Sequence, residues 1–334
     1  MGDKVFVVIP VYNGIEHTVS TVRSLISLLH PGCRVVVVDD GSTDGTSAIL
    51  GSEFPDVTIL RGDGNLWWSG AINLGARYAL ENGADYVLLL NNDVFLHPQF
   101  LEELLIGARE FPDSLIASKI LFASEPWKIW CMGGKVNWRS GRCWVVGCGQ
   151  LDDHRWMEPV EADWLAGMSV LVPVEVFRRG IWVDEKAFPQ YCGDSDFSMR
   201  AKLAGFQLIV WPPSRVYNKV ENSGLDTRLL QRIEPFSLRL FIATLTSIKS
   251  SKAFCTFGKW VLRHAPVYSW LPLFLRQYGF YFLKCVQVLL RLPSSKTTPR
   301  RNLSKEFEAD YEIVKPLPRR LRKQLVKERE QCES

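Results

Sequence analysis

The stretch YVLLLNNDVF, residues 86–95, decides how the rest of the chain is read. It opens with an apolar run, residues 86–90, and a run of this length and type reads as a strand buried on both faces. The run stops at Asn91-Asn92-Asp93. A carboxylate at the C-terminal end of a buried parallel strand stands where open α/β sheets bind ligands. Oxygen ligands there suit a hard cation, Mg²⁺ or Mn²⁺, holding a diphosphate. The plainer alternative is a turn in which Asp93 caps the next helix.

Upstream the pattern repeats. Residues 5–9 form a short apolar strand that ends in the turn sequence PVYNG, residues 10–14. Residues 17–29 have helical spacing, with Val19, Val22, Leu25, Ile26 and Leu29 on one face. Residues 34–38 form a second strand, which stops at Asp39-Asp40-Gly41-Ser42, and a short helix starts at Asp44. A third strand spans residues 57–60, followed by Gly62 to Asn65 and by Trp67-Trp68, and a helix over residues 71–80 leads into the opening stretch. Strand and helix in alternation mean a parallel sheet with right-handed crossovers. Asp39-Asp40 and Asp93 then lie on one sheet edge. The first turn carries no GxGxxG and the chain no P-loop, so phosphates are not cradled by a glycine-rich loop, and a metal on Asp93 becomes the better candidate.

The 334 residues suffice for one large domain, or one domain with an appendage. The net charge of +4 is too small for a global nucleic-acid footprint. Between Arg228 and Leu292, however, ten Lys or Arg stand against one acid, Glu234. Eight cysteines without a CxxC pair argue against a zinc ribbon, and the N-terminus runs into a strand without a signal-peptide layout. The expectation is a cytoplasmic protein with reduced thiols.

Downstream, Trp127, Trp130, Trp138, Trp144, Trp156 and Trp164 crowd an irregular middle section, as sugar-stacking platforms or as ordinary aromatic core. Residues 143–146 read as a hairpin strand, and a short helix begins at Val174. Asp194 and Asp196 open an amphipathic helix that runs to Ala204 and is stopped by Gly205, so both also suit a helix N-terminus as caps. Residues 207–210 form a strand ending in Trp211-Pro212-Pro213. Residues 265–292 are the longest apolar stretch, yet they hold Arg276, Lys284 and two prolines, which argues against a membrane span. A basic amphipathic helix in the headgroup plane fits, as does a helical hairpin packed on the catalytic domain or on a second subunit. Residues 296–334 read as a polar tail with a basic cluster.

The segments IPVYNG, VVVVDDGSTDGT and GNLWWSGAINLGARYALENGADYVLLLNNDV, in that order, resemble glycosyltransferase family 2, most closely its bacterial rhamnosyltransferase-like branch. The resemblance covers about residues 5–218. It implies an α/β GT-A fold: a mostly parallel nucleotide-binding sheet with helices on both faces, plus a helical C-terminal extension. The corresponding division is a catalytic domain over 1–222, a helical basic extension over 223–295 and a tail over 296–334. Pro10 and Tyr12 would line the base pocket, and Asp40 would accept the pyrimidine ring N–H. Trp68, Asn92, Asn65 and Asn73 would join the donor-binding set. Asn91-Asn92-Asp93 matches the family's DxD position, leaving Asp93 for the metal. Asn218 stands where the family often has a metal-assisting His. Gly167, within DWLAGM, would let the backbone approach the donor sugar. Asp194 matches the general base of the family's EDxD element, whose Glu is Gly193 here, and Asp196 is either a rival base or a positioning group.

The resemblance therefore implies an inverting transfer of a sugar, rhamnose among those in view, from a dTDP- or UDP-linked donor to a hydroxyl of a glycan or lipid-linked glycan. Asp194 would act as base, with Mg²⁺ or Mn²⁺ at Asp93. Contact with the cytoplasmic membrane face and pairing through the C-terminal helices are further expectations. A catalytically inactive nucleotide-sugar-binding module and a sugar nucleotidyltransferase are the alternatives; the latter would carry a phosphate loop that PVYNG lacks.

Overall fold

The computed structural model describes residues 3–219, 224–225 and 236–290. The expected boundary at 222–223 and the tail over 296–334 lie outside them. Strands β1 (Val5–Val11), β2 (Arg34–Asp39), β3 (Thr58–Arg61) and β4 (Tyr86–Leu90) alternate with helices α1 (Ile15–Ile26), α2 (Thr46–Glu53) and α3 (Trp67–Glu81). β1 pairs in parallel with both β2 and β4, and β2 with β3. There follow β5 (Val94–Leu96), α4 (Phe100–Glu110), β6 (Ser114–Phe122) and β7 (Ile129–Cys131). A separate hairpin, β8 (Gly134–Asn137) and β9 (Arg142–Val145), stands off the main sheet. β10 (Val160–Glu161), β11 (Ser169–Pro173), α5 (Val174–Arg178), α6 (Gly193–Leu203) and β12 (Gln207–Asn218) complete the part that carries the main sheet.

The sheet runs β10-β12-β6-β11-β4-β1-β2-β3. β11 enters it antiparallel between β4 and β6, while β12 lies parallel to β6. Alternation along β1 explains the layering. Phe6 and Val8 face a core shared with α3 and α6; Val5, Val7 and Ile9 face another shared with α1, α2 and α4. Both faces are thus covered by helices, as the near-continuous apolar strands require.

Two element ends depart from the sequence reading. α3 starts at Trp67 rather than Ala71, with Trp67 itself at φ 55°. β12 does not end at Val210 but continues to Asn218, because a register shift between Trp211 and Arg215 absorbs the two prolines. Pro212 and Pro213 therefore sit in an irregularity where no ladder N–H is needed.

The C-terminal helices are α7 (Leu238–Thr246), α8 (Phe254–His264) and α9 (Trp270–Leu289). α8 docks through Phe257, Trp260 and Val261 onto Phe188 and Met199. The turn of the β8–β9 hairpin meets α9, where a Cβ on Gly141 would come within 2.7 Å of the Leu273 amide nitrogen. No helix among the described residues is long and apolar enough to cross a membrane.

Candidate active site

The C-terminal ends of β1, β2 and β4 open on one cleft of about 1120 Å³. Pro10, Tyr12, Asp40, Trp68, Asn92, Asp93, Gly167, Asp194 and Asn218 line it. Three residues outside glycine adopt left-handed backbone there: Asn13 (φ 46°), Trp67 (φ 55°) and Cys192 (φ 65°). Such conformations cost about 1–3 kcal/mol each and gather at functional sites.

Asp40 sits at the end of β2 with both carboxylate oxygens on the loop that starts α3. Gly64 N–H donates to Oδ1 at 2.8 Å and Trp67 N–H to Oδ2 at 2.9 Å. Its neighbour Asp39 braces the following turn, accepting from Ser42 N–H at 2.8 Å and from the Ser47 hydroxyl. The Trp68 amide donates to Gln190 Oε1, and its indole Nε1 donates to Asn91 Oδ1 at 3.1 Å. The first DxD position is thus occupied by a group that aims a tryptophan into the cleft. Asn92 gives its amide nitrogen to the Thr18 hydroxyl at 2.9 Å, tying α1 to the end of β4.

Gly167 lies under Trp68. A Cβ there would stand 2.4 Å from the Trp68 ring and 3.1 Å from the Asp194 Cβ. The strand end passes this closely only because residue 167 has no side chain. Its N–H donates to Asp194 Oδ2 at 2.9 Å, and Ser195 N–H donates to Oδ1 at 2.8 Å. Asp194 is on the first turn of α6, where the helix dipole favours a carboxylate. Burial nevertheless pushes its pKa above the ordinary range, and the two amides only partly offset this. Gly193, in the position of the family's Glu, has no room for a side chain, since a Cβ would stand 2.4 Å from Ser69 Oγ.

Asp93 lies at the end of β4, and β12 brings Asn218 alongside by pairing it with Val94. Asn218 is 2% exposed, and its Nδ2 has no hydrogen-bond partner. A buried amide with an unsatisfied end, beside a carboxylate, is a pair of groups arranged for something further; which end carries the oxygen is an assignment. Among the described residues no three His, Cys, Asp or Glu side chains could hold a metal by themselves. Two oxygen donors fit a hard cation whose remaining ligands come from a diphosphate. Lys219, adjacent in sequence, has its ammonium over the Phe95 ring at 4.8 Å, which gives it a partner other than phosphate.

Three expected site residues stand elsewhere. Asn65 is exposed on the loop before α3 and does not line the cleft. Asn73 is 2% exposed beneath the cleft floor. It donates to Val183 O and Glu185 Oε2 and accepts from Val183 N–H, so it clips α3 to the loop before α6. Asp196 is fully buried and faces away from the cleft, into the C-terminal helices. Arg200 Nε, Arg263 Nη1 and His264 Nε2 all meet it at 2.9 Å, and Arg263 also donates to Asp184 at 2.7 Å. Burial alone would raise its pKa, but His264, Arg200 and Arg263 together hold the carboxyl below the usual range. It is a clamp between α6 and α8. Sequence reasoning missed Arg263, His264 and Gln190, because only folding brings them to residues so distant along the chain.

Residues 6–140 match the model for glycosyl transferase family 2. Over these residues the chain is similar to glycosyl transferase family 2. Among the chain's relatives is the undecaprenyl-phosphate mannosyltransferase of Micrococcus luteus, 32% identical over 152 residues, which are 44% of the chain and 58% of the relative. The chain thus spans little more than half of that relative's length. The N-acetylglucosaminyl-diphospho-decaprenol L-rhamnosyltransferase of Mycobacterium tuberculosis is 25% identical over 246 residues, 68% of the chain and 80% of the relative. Among solved structures, a mannosyltransferase of Pyrobaculum calidifontis in complex with GDP-Man and Mn²⁺ superposes with a TM-score of 0.53 at 14% identity, covering 97% of this chain and 83% of that one. The chain therefore has the expected GT-A fold.

Proposed function

We propose that the chain is an inverting glycosyltransferase that moves a sugar from a nucleoside-diphosphate donor to an acceptor hydroxyl, with Asp194 as general base. The observation that carries this reading is the state of the three carboxylates lining the cleft, Asp40, Asp93 and Asp194. Asp40 is committed to the loop that starts α3, and Asp93 lies beside Asn218. Asp194 is raised by burial and held in place by two amides, which suits a proton acceptor.

The positions of these groups support a single-displacement chemistry. Pro10 and Tyr12 border the base end of the cleft, and the lone pairs left on Asp40 accept the ring N–H of uracil or thymine. Trp68, fixed by Asn91, offers an aromatic surface above Gly167 for the donor sugar. Asp194 takes the proton of the acceptor hydroxyl as that oxygen attacks the anomeric carbon, and the C–O bond to the diphosphate breaks on the opposite side. This single displacement inverts the anomeric centre. Asp93 and Asn218 would hold Mg²⁺ or Mn²⁺, which when bound supplies positive charge to the departing diphosphate. The Mn²⁺ bound with GDP-Man in the Pyrobaculum calidifontis mannosyltransferase, which shares the fold, supports that assignment.

The relatives named for decaprenyl-linked and undecaprenyl-linked compounds support a lipid-linked acceptor, reached from the membrane face by the apolar C-terminal helices. The test is the product's anomeric configuration by NMR with UDP- and dTDP-sugars as donors, wild type against D194N. Transfer with inversion that D194N abolishes, while nucleotide binding survives, is the expected result. Near-normal turnover by D194N overturns the base assignment.

A further inference from the structure

The cleft does not end at Asp194. Its far wall comes from α8, α9 and the loop before α8, through Lys249, Lys252, Trp260 and Gln277, and Trp144 and Trp164 share the lining. Charge separates along it. Asp40, Asp93 and Asp194 stand on the sheet side, and the two lysines on the other. Lys252 is half-buried and Lys249 exposed, and neither side chain forms a salt bridge to a carboxylate among the described residues. On the reading above, the donor's diphosphate lies at Asp93, which leaves the cations across the cleft for a second anion.

That anion's carrier is indicated by the same helices. α9 turns Gln277 into the cleft and leaves Leu271, Leu275, Phe282, Leu283 and Leu289 between 55% and 67% exposed. Exposed apolar side chains of this size on one helix fit a hydrocarbon phase. Resting on the glycosyltransferase reading above, we propose that Lys249 and Lys252 bind the diphosphate of a polyprenyl-diphosphate-linked acceptor. Its prenyl chain lies along α9, and its sugar stacks on the tryptophans near Asp194. Lysine serves such a site as a point charge on a flexible stem, which tolerates the varied rotation of a diphosphate.

Calorimetric titration of the full chain with farnesyl diphosphate and with farnesol, in EDTA, tests this. We expect farnesyl diphosphate to bind wild type at least about tenfold more tightly than K249Q/K252Q, and farnesol to bind both alike. D93N should bind farnesyl diphosphate like wild type, and K249R/K252R should retain most of the affinity. Equal farnesyl diphosphate affinity in wild type and K249Q/K252Q overturns the proposal. So does a fall in UDP or dTDP affinity in that double variant, which would assign the lysines to the donor, and so does loss of binding only to phosphatidylglycerol vesicles. Wild type titrated with UDP and dTDP plus Mn²⁺ separates the two levels: absence of any nucleotide binding defeats the glycosyltransferase reading itself, whereas nucleotide binding with lysine-independent farnesyl diphosphate binding defeats only this inference.

Discussion

The two walls of the cleft are built by opposite means. The wall proposed for the donor is assembled from strand ends: Asp40 follows β2, Asn91 to Asp93 follow β4, and each is placed by the strand immediately before it. The far wall is assembled by docking, with α8 held to α6 through Asp196, Arg263 and His264, residues 67 or 68 positions apart. A wall made of strand ends inherits the rigidity of the sheet. A docked wall is as firm as its clamp. Asp194 stands between them, with one amide from the strap at Gly167 and a place on α6, two residues from the clamp.

The largest expected effect is on the base. D194N should reduce kcat by about 10²–10⁴-fold with nucleotide affinity retained. In wild type the acid limb of kcat/KM should lie above the ordinary aspartate range, because the group must be ionised and burial raises its pKa. Asp194 ionises less readily folded than unfolded, so it opposes stability as pH rises; D194N removes that pH-dependent cost but leaves one of the two amides facing an asparagine NH₂, so its melting temperature should vary less with pH than that of wild type.

D196A should split the two walls. Removing one partner of a buried ion cluster costs about 3–5 kcal/mol, so α8 and α9 should become protease-sensitive and acceptor-dependent turnover should fall. Nucleotide-induced thermal stabilisation should persist. If that stabilisation disappears as well, the walls are not separable and the comparison fails. Asp196 has a depressed folded pKa, so its contribution is full above the unfolded value and is lost only as pH falls through the depressed one.

G167A is expected to cost about 1–3 kcal/mol through overpacking against Trp68, and to slow transfer by displacing Asp194. The smallest effect should be that of D93N, a shift of Mn²⁺ dependence to higher metal concentration by about tenfold at the donor wall alone. Unchanged metal dependence would remove Asp93 from the site.

Most of the donor wall is legible in residue order. Buried parallel strands are uninterrupted apolar runs, and the residues just past the end of each run stand on one sheet edge. That logic places Asp40, Asn92 and Asp93 along the cleft, and the family motif adds Gly167. It fails at Asn73 and Asn65, since a polar residue near a motif carries no mark of the direction in which it points. Asn73 faces α3's packing partner, and Asn65 faces solvent. Asp196 reads as a second acid beside Asp194, but its partners lie in α6 and in a helix beyond the reach of local pattern. The basic excess between Arg228 and Leu292 is visible, yet nothing in it distinguishes Arg263, which serves the clamp, from Lys249 and Lys252, which line the cleft.

The packing at Gly193 has a consequence for how this chain can change. A glutamate there cannot be installed in one step, because the Ser69 hydroxyl occupies the space its first carbon needs. Ser69 would have to move or lose its hydroxyl, which gives up its hydrogen bond to Phe188 O, and the Phe188 carbonyl, 3.0 Å from the same Cβ position, would have to give as well. Residues 69, 188 and 193 are thus coupled by packing, and a change at 193 calls for a change around it.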